Sequence, residues 1–181
     1  MMDVVITHWI NGWAGWNSIL DTAVIAFTQL GVPILVFFVV LQWWSKNDRR
    51  HVRHACIACC LAFLLGLGLN QIIILFIHRM RPYELGVTHL IIDLSTDASF
   101  PSDHATATFT IAFSLLAEGL RRRGSIALAA AILISLSRVY VGTHYASDLL
   151  GGALMAIIAT SLVQAFYRED SKLDRIVTSI L

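Results

Sequence analysis

The chain has 181 residues, of which 57% are hydrophobic and only 14% are charged, and its formal net charge is +1. A hydrophobic fraction of this size exceeds what the core of a soluble domain of this length can bury, so the composition excludes an ordinary water-soluble protein. The small net charge says little by itself, and no nucleic-acid partner is predicted.

The chain begins with an aromatic segment that contains no Lys or Arg. Trp9, Trp13 and Trp16 recur at helical spacing ahead of the first long apolar segment. This pattern is typical of a short helix that lies at a membrane interface with its indoles at headgroup depth. We therefore predict an N-terminal interfacial helix.

Five apolar segments follow and predict an all-α polytopic bundle of about five transmembrane helices. Three of them come close to the ~20 residues that span the hydrocarbon of a bilayer, and these are 20–44, 55–77 and 148–167. The other two, 105–120 and 125–141, are shorter and contain Ser and Thr, as expected for inner helices shielded from lipid. Cys56, Cys59 and Cys60 fall within the second segment, where we expect small packing residues rather than a disulfide or metal site.

The cations are divided between the two ends of these segments. Ten of the thirteen Lys and Arg residues lie in three short stretches, which are Lys46, Arg49, Arg50 and Arg53, then Arg121, Arg122 and Arg123, then Arg168, Lys172 and Arg175. The positive-inside rule places these stretches and the C-terminus in the cytoplasm. Arg79, Arg81 and Arg138 lie at the opposite ends, with the 79–103 loop and the 141–147 turn, which we predict to be outside.

The tetrapeptide Pro101-Ser102-Asp103-His104 precedes an apolar helix and has two interpretations. Ser102 and Asp103 suit the N-cap and first turn of a helix. The free amides at that helix start also suit an anion site, to which Ser102 and His104 would add polar groups. The tetrapeptide alone does not decide between them.

A second polar group follows, in which Arg138 ends one apolar segment and His144 and Asp148 begin the next. If a helix starts by His144, the spacing of four places His144 and Asp148 on one face. The carboxylate can then fix the tautomer of the imidazole and leave its other nitrogen as a nucleophile or base. Ionisable groups at a membrane boundary usually mark function.

With the upstream Arg81-Pro82, these motifs resemble the type-2 phosphatidic-acid phosphatase superfamily of membrane lipid phosphatases. The resemblance implies that His144 is a nucleophile that becomes phosphohistidine, Asp148 its orienting carboxylate and His104 the general acid and base. It also implies that Arg81, Ser102, Arg138 and the amides around Asp103 bind the phosphate. No metal and no cofactor are implied.

Two positions depart from the superfamily pattern. Ile74 stands where the pattern has Lys, and Asp103 stands where it has Gly. Arg79 is either a snorkelling helix end or a phosphate-binding replacement for that Lys. The Asp103 carboxylate could point away, clamp an arginine or tune His104, and the sequence leaves all three open.

Phe-Pro-Ser-Asp-His and the short layout resemble the bacterial undecaprenyl-diphosphate phosphatases that have been linked to bacitracin resistance. The resemblance implies one integral-membrane domain, 1–181, with its motifs in 78–148, in the bacterial cytoplasmic membrane. The expected partners are a polyprenyl diphosphate substrate and membrane lipids. The alternatives are a phosphatase of another lipid, such as phosphatidylglycerophosphate, phosphatidate or lipid A, and a small membrane transporter.

Overall fold

The structure is a computed structural model that describes residues 1–179, and within them every regular element is a helix. The helices are α1 Met2–Asn11, α2 Ser18–Gln42, α3 Arg49–Phe76, α4 Asp103–Ala117, α5 Arg121–Tyr140, α6 Ala146–Phe166 and α7 Lys172–Thr178. This confirms the all-α class that the apolar segments predict. The three motifs meet at one end of the bundle, called here the motif end (77–104 and 138–148). The basic stretches lie at the other, the basic end (46–54, 118–123 and 167–178).

Four helices in the described chain, α2, α3, α5 and α6, are long and apolar enough to cross a membrane. The fifth predicted span, α4, has only 15 residues, which corresponds to about 22 Å of helix against about 30 Å of hydrocarbon. It lies inside the bundle against α2, α3, α5 and α6. The prediction of a shielded inner helix is thus confirmed for α4, while the count of long spans is four rather than five.

Small residues let α4 approach its neighbours closely at the motif end. A Cβ atom on Gly152 of α6 would lie 2.7 Å from both the Ala105 Cβ and the Ser102 carbonyl oxygen. Atoms cannot approach so closely without displacement, so this position requires glycine. The contact brings the start of α4 against the start of α6, where the Ser102 amide donates a 3.2 Å hydrogen bond to the Asp148 carbonyl.

Helix α1 is shorter than the spacing of the three tryptophans predicted, because it ends before Trp13 and Trp16. Asn11 is its last residue, and Trp13 and Trp16 lie in the turns that follow, with Trp9, Trp13 and Trp16 all exposed. Asn11 is buried and donates hydrogen bonds of 2.8 Å to the Tyr140 carbonyl and 2.9 Å to the His89 carbonyl. Helix α1 is therefore fixed against the motif end by the buried polar contacts of Asn11.

Helix α7, which the apolar segments did not predict, docks on the basic end through Asp174. This carboxylate is fully buried, lies 2.8 Å from His54 Nδ1 and accepts a 2.7 Å hydrogen bond from the Tyr167 hydroxyl. Burial alone would raise the pKa of Asp174, but the hydrogen bonds from His54 and Tyr167 outweigh it and hold the pKa below its usual range. The short helix is thus held by a buried ionic contact.

Candidate active site

The predicted polar residues converge on one small cavity at the motif end. Its volume is about 130 Å³, and its lining includes Arg81, Asp103, His104, Arg138 and His144. A water molecule occupies about 30 Å³ of liquid, so the cavity has room for a group the size of a phosphate. Three motifs that are distant in sequence therefore share one polar site.

His144 is almost completely buried, and its contacts fix the tautomer of its ring. Nδ1 lies 2.8 Å from the Ser99 carbonyl oxygen, and Nε2 lies 3.3 Å from Nη1 of Arg81. A carbonyl only accepts and a guanidinium only donates, so Nδ1 carries the proton and Nε2 keeps its lone pair. The lone pair is on the nitrogen that faces the arginine and the cavity.

The electrostatic surroundings keep this ring neutral. Burial is the main cause that lowers the pKa of His144, and the positive charges of Arg81 and Arg138 lower it further, against the opposing effect of Asp148. A histidine whose pKa lies below its usual value of about 6.5 is uncharged at neutral pH. An uncharged ring is the form that can act as a nucleophile.

Asp148 does not bond directly to His144, as the spacing of four had suggested. Its Oδ2 lies 3.6 Å from Nδ1 of His144 and instead accepts hydrogen bonds from the Ser99 hydroxyl at 2.5 Å and the Tyr145 amide at 2.8 Å. The reason is that α6 begins at Ala146, so His144 lies outside the helix and Asp148 caps its first turn. Ser99 thus stands between the two, with its hydroxyl on Asp148 and its carbonyl on His144.

Arg81 is buried and held in place by the loop that follows it. Its Nη2 and Nε contact the Asp97 carboxylate at 2.7 Å and the Asp97 carbonyl at 3.0 Å, while Nη1 donates to the Thr143 carbonyl at 2.9 Å. Burial alone would raise the pKa of Asp97, but the Ser95 hydrogen bond and the charge of Arg81 outweigh it and lower the pKa. The guanidinium is therefore fixed beside His144 before any ligand is bound.

Arg138 is the second buried guanidinium in the cavity. Its Nη1 donates a 3.2 Å hydrogen bond to the Thr28 hydroxyl of α2, and its Nε has no hydrogen-bond partner among the described residues. A buried cation with an unused donor is costly unless a ligand supplies an acceptor. This arrangement suits the binding of an anion.

Ser102 occupies the N-cap position of α4 but does not cap it. Its hydroxyl makes no capping hydrogen bond, is completely buried and has no partner in the described part of the chain. The capping interpretation of Pro101-Ser102-Asp103-His104 therefore does not account for this side chain. His104 follows in the first turn, where it lines the cavity with Arg81 and Arg138.

The Asp103 carboxylate is bound by α3. The side-chain amide of Asn70 donates a 2.6 Å hydrogen bond to Oδ1 of Asp103 and a 2.9 Å hydrogen bond to the Thr106 hydroxyl. Of the three possibilities that the sequence left open for Asp103, this contact favours the first, because it turns the carboxylate toward α3. The carboxylate is held by a neutral amide at the edge of the cavity.

Arg79 lies outside the cavity lining, whereas Ile74 contributes to it. The Arg79 guanidinium contacts Asp148 and Asp3 at 2.6 Å each, and its Cζ atom lies 3.9 Å from the centroid of the Tyr145 ring. These contacts direct it behind His144, so it neither snorkels nor fills the position of the missing Lys. The alternative of a phosphate contact by Arg79 has no support in this geometry.

The turn that carries His144 depends on Gly142. Its φ is +89°, and a Cβ atom there would lie 2.6 Å from the His89 carbonyl oxygen. Only glycine accepts both constraints without strain. The Thr88 hydroxyl also donates a 2.8 Å hydrogen bond to the Gly142 carbonyl, so the 82–100 loop packs directly on this turn.

The sequence motifs do not reveal Ser99, Thr28 and Asp3, which the structure places in contact with residues that form or support the site. Ser99 precedes the Pro101 motif by two residues, and its polarity beside a buried motif was the available signal. Thr28 and Asp3 lie in segments without any motif, and each contacts an arginine that is distant in sequence. Nothing in their local sequence marks them.

The helical bundle and its phosphate-sized cavity of arginines and histidines suit a membrane hydrolase of phosphate esters. The chain belongs to the PAP2 superfamily, whose sequence profile matches residues 55–172. It is accordingly a multi-pass membrane lipid phosphatase.

Relatives support this membership over most of the chain. Undecaprenyl-diphosphatase BcrC of Bacillus subtilis is 32% identical over 87% of this chain and 80% of its own length. A putative undecaprenyl-diphosphatase, YbjG of Escherichia coli, is 33% identical over 76% of this chain and 67% of its own length. The crystal structure of Aquifex aeolicus LpxE superposes with a TM-score of 0.74 at 25% identity, over 92% of this chain and 96% of that one.

Proposed function

We propose that this chain hydrolyses undecaprenyl diphosphate to the monophosphate and inorganic phosphate through a phosphohistidine on His144. The observation that carries the proposal is the neutral His144 ring, whose unprotonated Nε2 lies 3.3 Å from the buried guanidinium of Arg81. Relatives that are named undecaprenyl-diphosphatases support the choice of substrate.

In the first step, the lone pair on His144 Nε2 attacks the terminal phosphorus and forms a nitrogen–phosphorus bond. The bond from phosphorus to the bridging oxygen breaks, and that oxygen takes a proton from His104. Arg81, Arg138, the Ser102 hydroxyl and the first amides of α4 stabilise the charge on the equatorial oxygens. The unused donors of Arg138 and Ser102 find their acceptors here.

In the second step, His104 takes a proton from water, and the resulting hydroxide attacks the phosphorus. The nitrogen–phosphorus bond breaks, its electron pair returns to Nε2, and inorganic phosphate leaves. The phosphorylated ring is cationic, and the Ser99 carbonyl, with Asp148 behind it, stabilises this charge through the Nδ1 proton. Burial and the charges of Arg138 and Arg81 lower the pKa of His104 to about 3 in the free site, so its proton arrives with the anionic substrate, and His104 holds that proton again at the end of the cycle.

We further propose that the cavity opens on the outer face of the bacterial cytoplasmic membrane. The cation-rich basic end then faces the cytoplasm, as the positive-inside rule requires, and the C-terminus lies there with α7. A phosphatase in this orientation would return the lipid carrier of cell-wall synthesis to use. That activity would oppose bacitracin, which gives a cellular readout.

The test is turnover by the purified protein on four lipids side by side: undecaprenyl diphosphate, phosphatidylglycerophosphate, phosphatidate and lipid A. We expect the highest kcat/KM on undecaprenyl diphosphate, and no turnover by His144→Ala. Acid-labile phosphate on the wild-type protein after a rapid quench would identify the intermediate. Full activity of His144→Ala would overturn the mechanism, and preference for another lipid would overturn the substrate.

A further inference from the structure

An acidic side chain on α1 reaches the group that supports His144. Asp3 lies 2.6 Å from Nη2 of Arg79, and it accepts hydrogen bonds from the Ser147 amide at 2.9 Å and the Ser147 hydroxyl at 2.6 Å. Burial alone would raise the pKa of Asp3, but these hydrogen bonds outweigh it and lower the pKa. Asp3 is therefore ionised at neutral pH.

Arg79 connects Asp3 to both groups that hold His144. Its Nη1 lies 2.6 Å from Oδ1 of Asp148, and its carbonyl accepts a 2.8 Å hydrogen bond from the Ser99 amide. Ser99 orients the His144 ring through its carbonyl, and Asp148 in turn holds the Ser99 hydroxyl. One arginine thus fixes both the carboxylate and the backbone segment behind the ring.

We infer that Asp3 is a positioning residue for phosphate hydrolysis, acting through Arg79 on Asp148 and Ser99 to hold His144. The inference rests on the proposed role of His144 as the nucleophile. It extends the site to the first helix of the chain, which carries none of the three motifs.

Charge balance gives the physical reason. Asp148 is fully buried, while Arg79 and Asp3 are about 70% buried, so their charges are only partly screened. With Asp3 ionised, one guanidinium is shared between two carboxylates. Without it, Asp148 alone balances Arg79, is drawn toward that arginine and away from Ser99, and the surroundings of His144 become more positive.

The docking of α1 does not depend on Asp3 alone, so its role can be separated from folding. The Thr7 hydroxyl accepts a 3.0 Å hydrogen bond from the Ala146 amide, and Asn11 bonds to Tyr140 and His89. These contacts remain in Asp3→Asn, which keeps the shape of the side chain. Asp21→Asn is the matched control, because Asp21 is also an acid near the motif end but binds Tyr140 and Gly15.

The experiment measures kcat, KM and the pH profile of Asp3→Asn, Arg79→Gln, the double variant and Asp21→Asn on undecaprenyl diphosphate. For Asp3→Asn we expect kcat to fall about 10- to 100-fold, by analogy with the outer-shell partners of metal ligands. KM should not change, and the acidic limb of the profile should move to lower pH. The charged and titratable groups that face His144 are Arg81, His104, Arg138 and Asp148, and none of them is altered.

Coupling distinguishes positioning from general destabilisation. Asp3→Asn should have no further effect on kcat in the Arg79→Gln background, and Asp21→Asn should behave as wild type. An unchanged kcat in Asp3→Asn overturns the inference, and so does a loss that is additive with Arg79→Gln and leaves the pH profile in place. His144→Ala in the same assay distinguishes failure of this inference from failure of the proposed function. Activity in His144→Ala would overturn the proposed function, whereas the results for Asp3→Asn bear on the inference alone.

Discussion

The side-chain amide of Asn70 donates a 2.6 Å hydrogen bond to the carboxylate of Asp103 and so joins the C-terminal part of α3 to the first turn of α4. An acid at the entrance of a phosphate site would ordinarily repel the ligand. Asn70 is completely buried and directs this acid toward α3. A residue that merely interrupts an apolar segment in the sequence thus makes Asp103 tolerable.

Replacing Asn70 by Ala should therefore lower turnover. The freed Asp103 carboxylate would be available to pair with an arginine of the cavity and compete with the phosphate, and the lost buried hydrogen bonds should cost about 1–3 kcal/mol of stability. Steady-state kinetics and thermal unfolding in detergent measure the two effects. Adding Asp103→Gly should recover part of the turnover, and a fully active Asn70→Ala would refute this role.

Arg138→Gln should reduce kcat by about 10²- to 10³-fold, as does loss of other donors to a transition state. Arg138→Lys should recover little, because an ammonium cannot offer the planar pair of donors that a phosphate accepts. Thr28→Val is the matched control, since it removes only the hydroxyl that accepts from Arg138 at 3.2 Å. Equal losses in Thr28→Val and Arg138→Gln would show that Arg138 acts only through its placement.

The pH dependence of kcat/KM should show an acidic limb below the usual histidine range. Protonation of His144 removes the lone pair on Nε2, and its pKa is lowered by burial first and by the charges of Arg81 and Arg138 next. Activity is therefore retained as the pH falls through about 6.5 and is lost only below it. Arg81→Gln removes one of these charges, so its acidic limb should lie at higher pH than in the wild type. An unshifted limb would contradict this assignment.

At the basic end, Asp174→Ala should destabilise the protein without changing the chemistry. It leaves His54 and Tyr167 without their common buried acceptor, and breaking a buried pair costs about 3–5 kcal/mol. Thermal unfolding should show the loss, while kcat per folded molecule should equal that of the wild type. Tyr167→Phe removes a single hydrogen bond and should cost only about 0.5–1.5 kcal/mol. A changed kcat in folded Asp174→Ala would contradict the separation of the two ends.

The Asp174 carboxylate also makes the free energy of unfolding depend on pH in the acidic range. The pKa of Asp174 is lower in the folded protein than its ordinary value of 3.8, so the folded state holds its proton less tightly than the unfolded state. Its contribution is complete above that value and is lost as the pH falls through the folded pKa. The difference in unfolding temperature between wild type and Asp174→Asn should therefore shrink below about pH 4.

The sequence predicted which residues line the cavity, but it did not predict most of the contacts that position their side chains. Arg81, His104, Arg138 and His144 belong to local motifs whose chemistry is visible in their spacing. Ser99 contacts Asp148 across 49 positions of sequence, and Asn70 contacts Asp103 across 33. No local pattern encodes such pairs. The direct contact between His144 and Asp148 required a helix that starts by His144, and α6 starts at Ala146 instead.

The helices that could be predicted were likewise those with a long local pattern. Long apolar segments became α2, α3, α5 and α6 because burial in lipid requires about 20 apolar residues in succession. α4 is shorter than a span because the bundle rather than lipid surrounds it, so its length is not set by the bilayer. α7 has only seven residues, and two exposed apolar side chains, Leu173 and Ile176, give no pattern long enough to predict it.

The glycine turn before His144 has a consequence for the order in which the protein assembles. Gly142 lies against His89 of the long loop, and Asn11 of α1 bonds to the same loop and to the end of α5, across 78 and 129 residues of sequence. Contacts at such separation slow folding, because the entropy of closing the intervening loop is paid before they stabilise the fold. Asn11 can join the loop to α5 only when both are in place, so the support of the His144 turn by α1 requires the longest stretches of ordered chain.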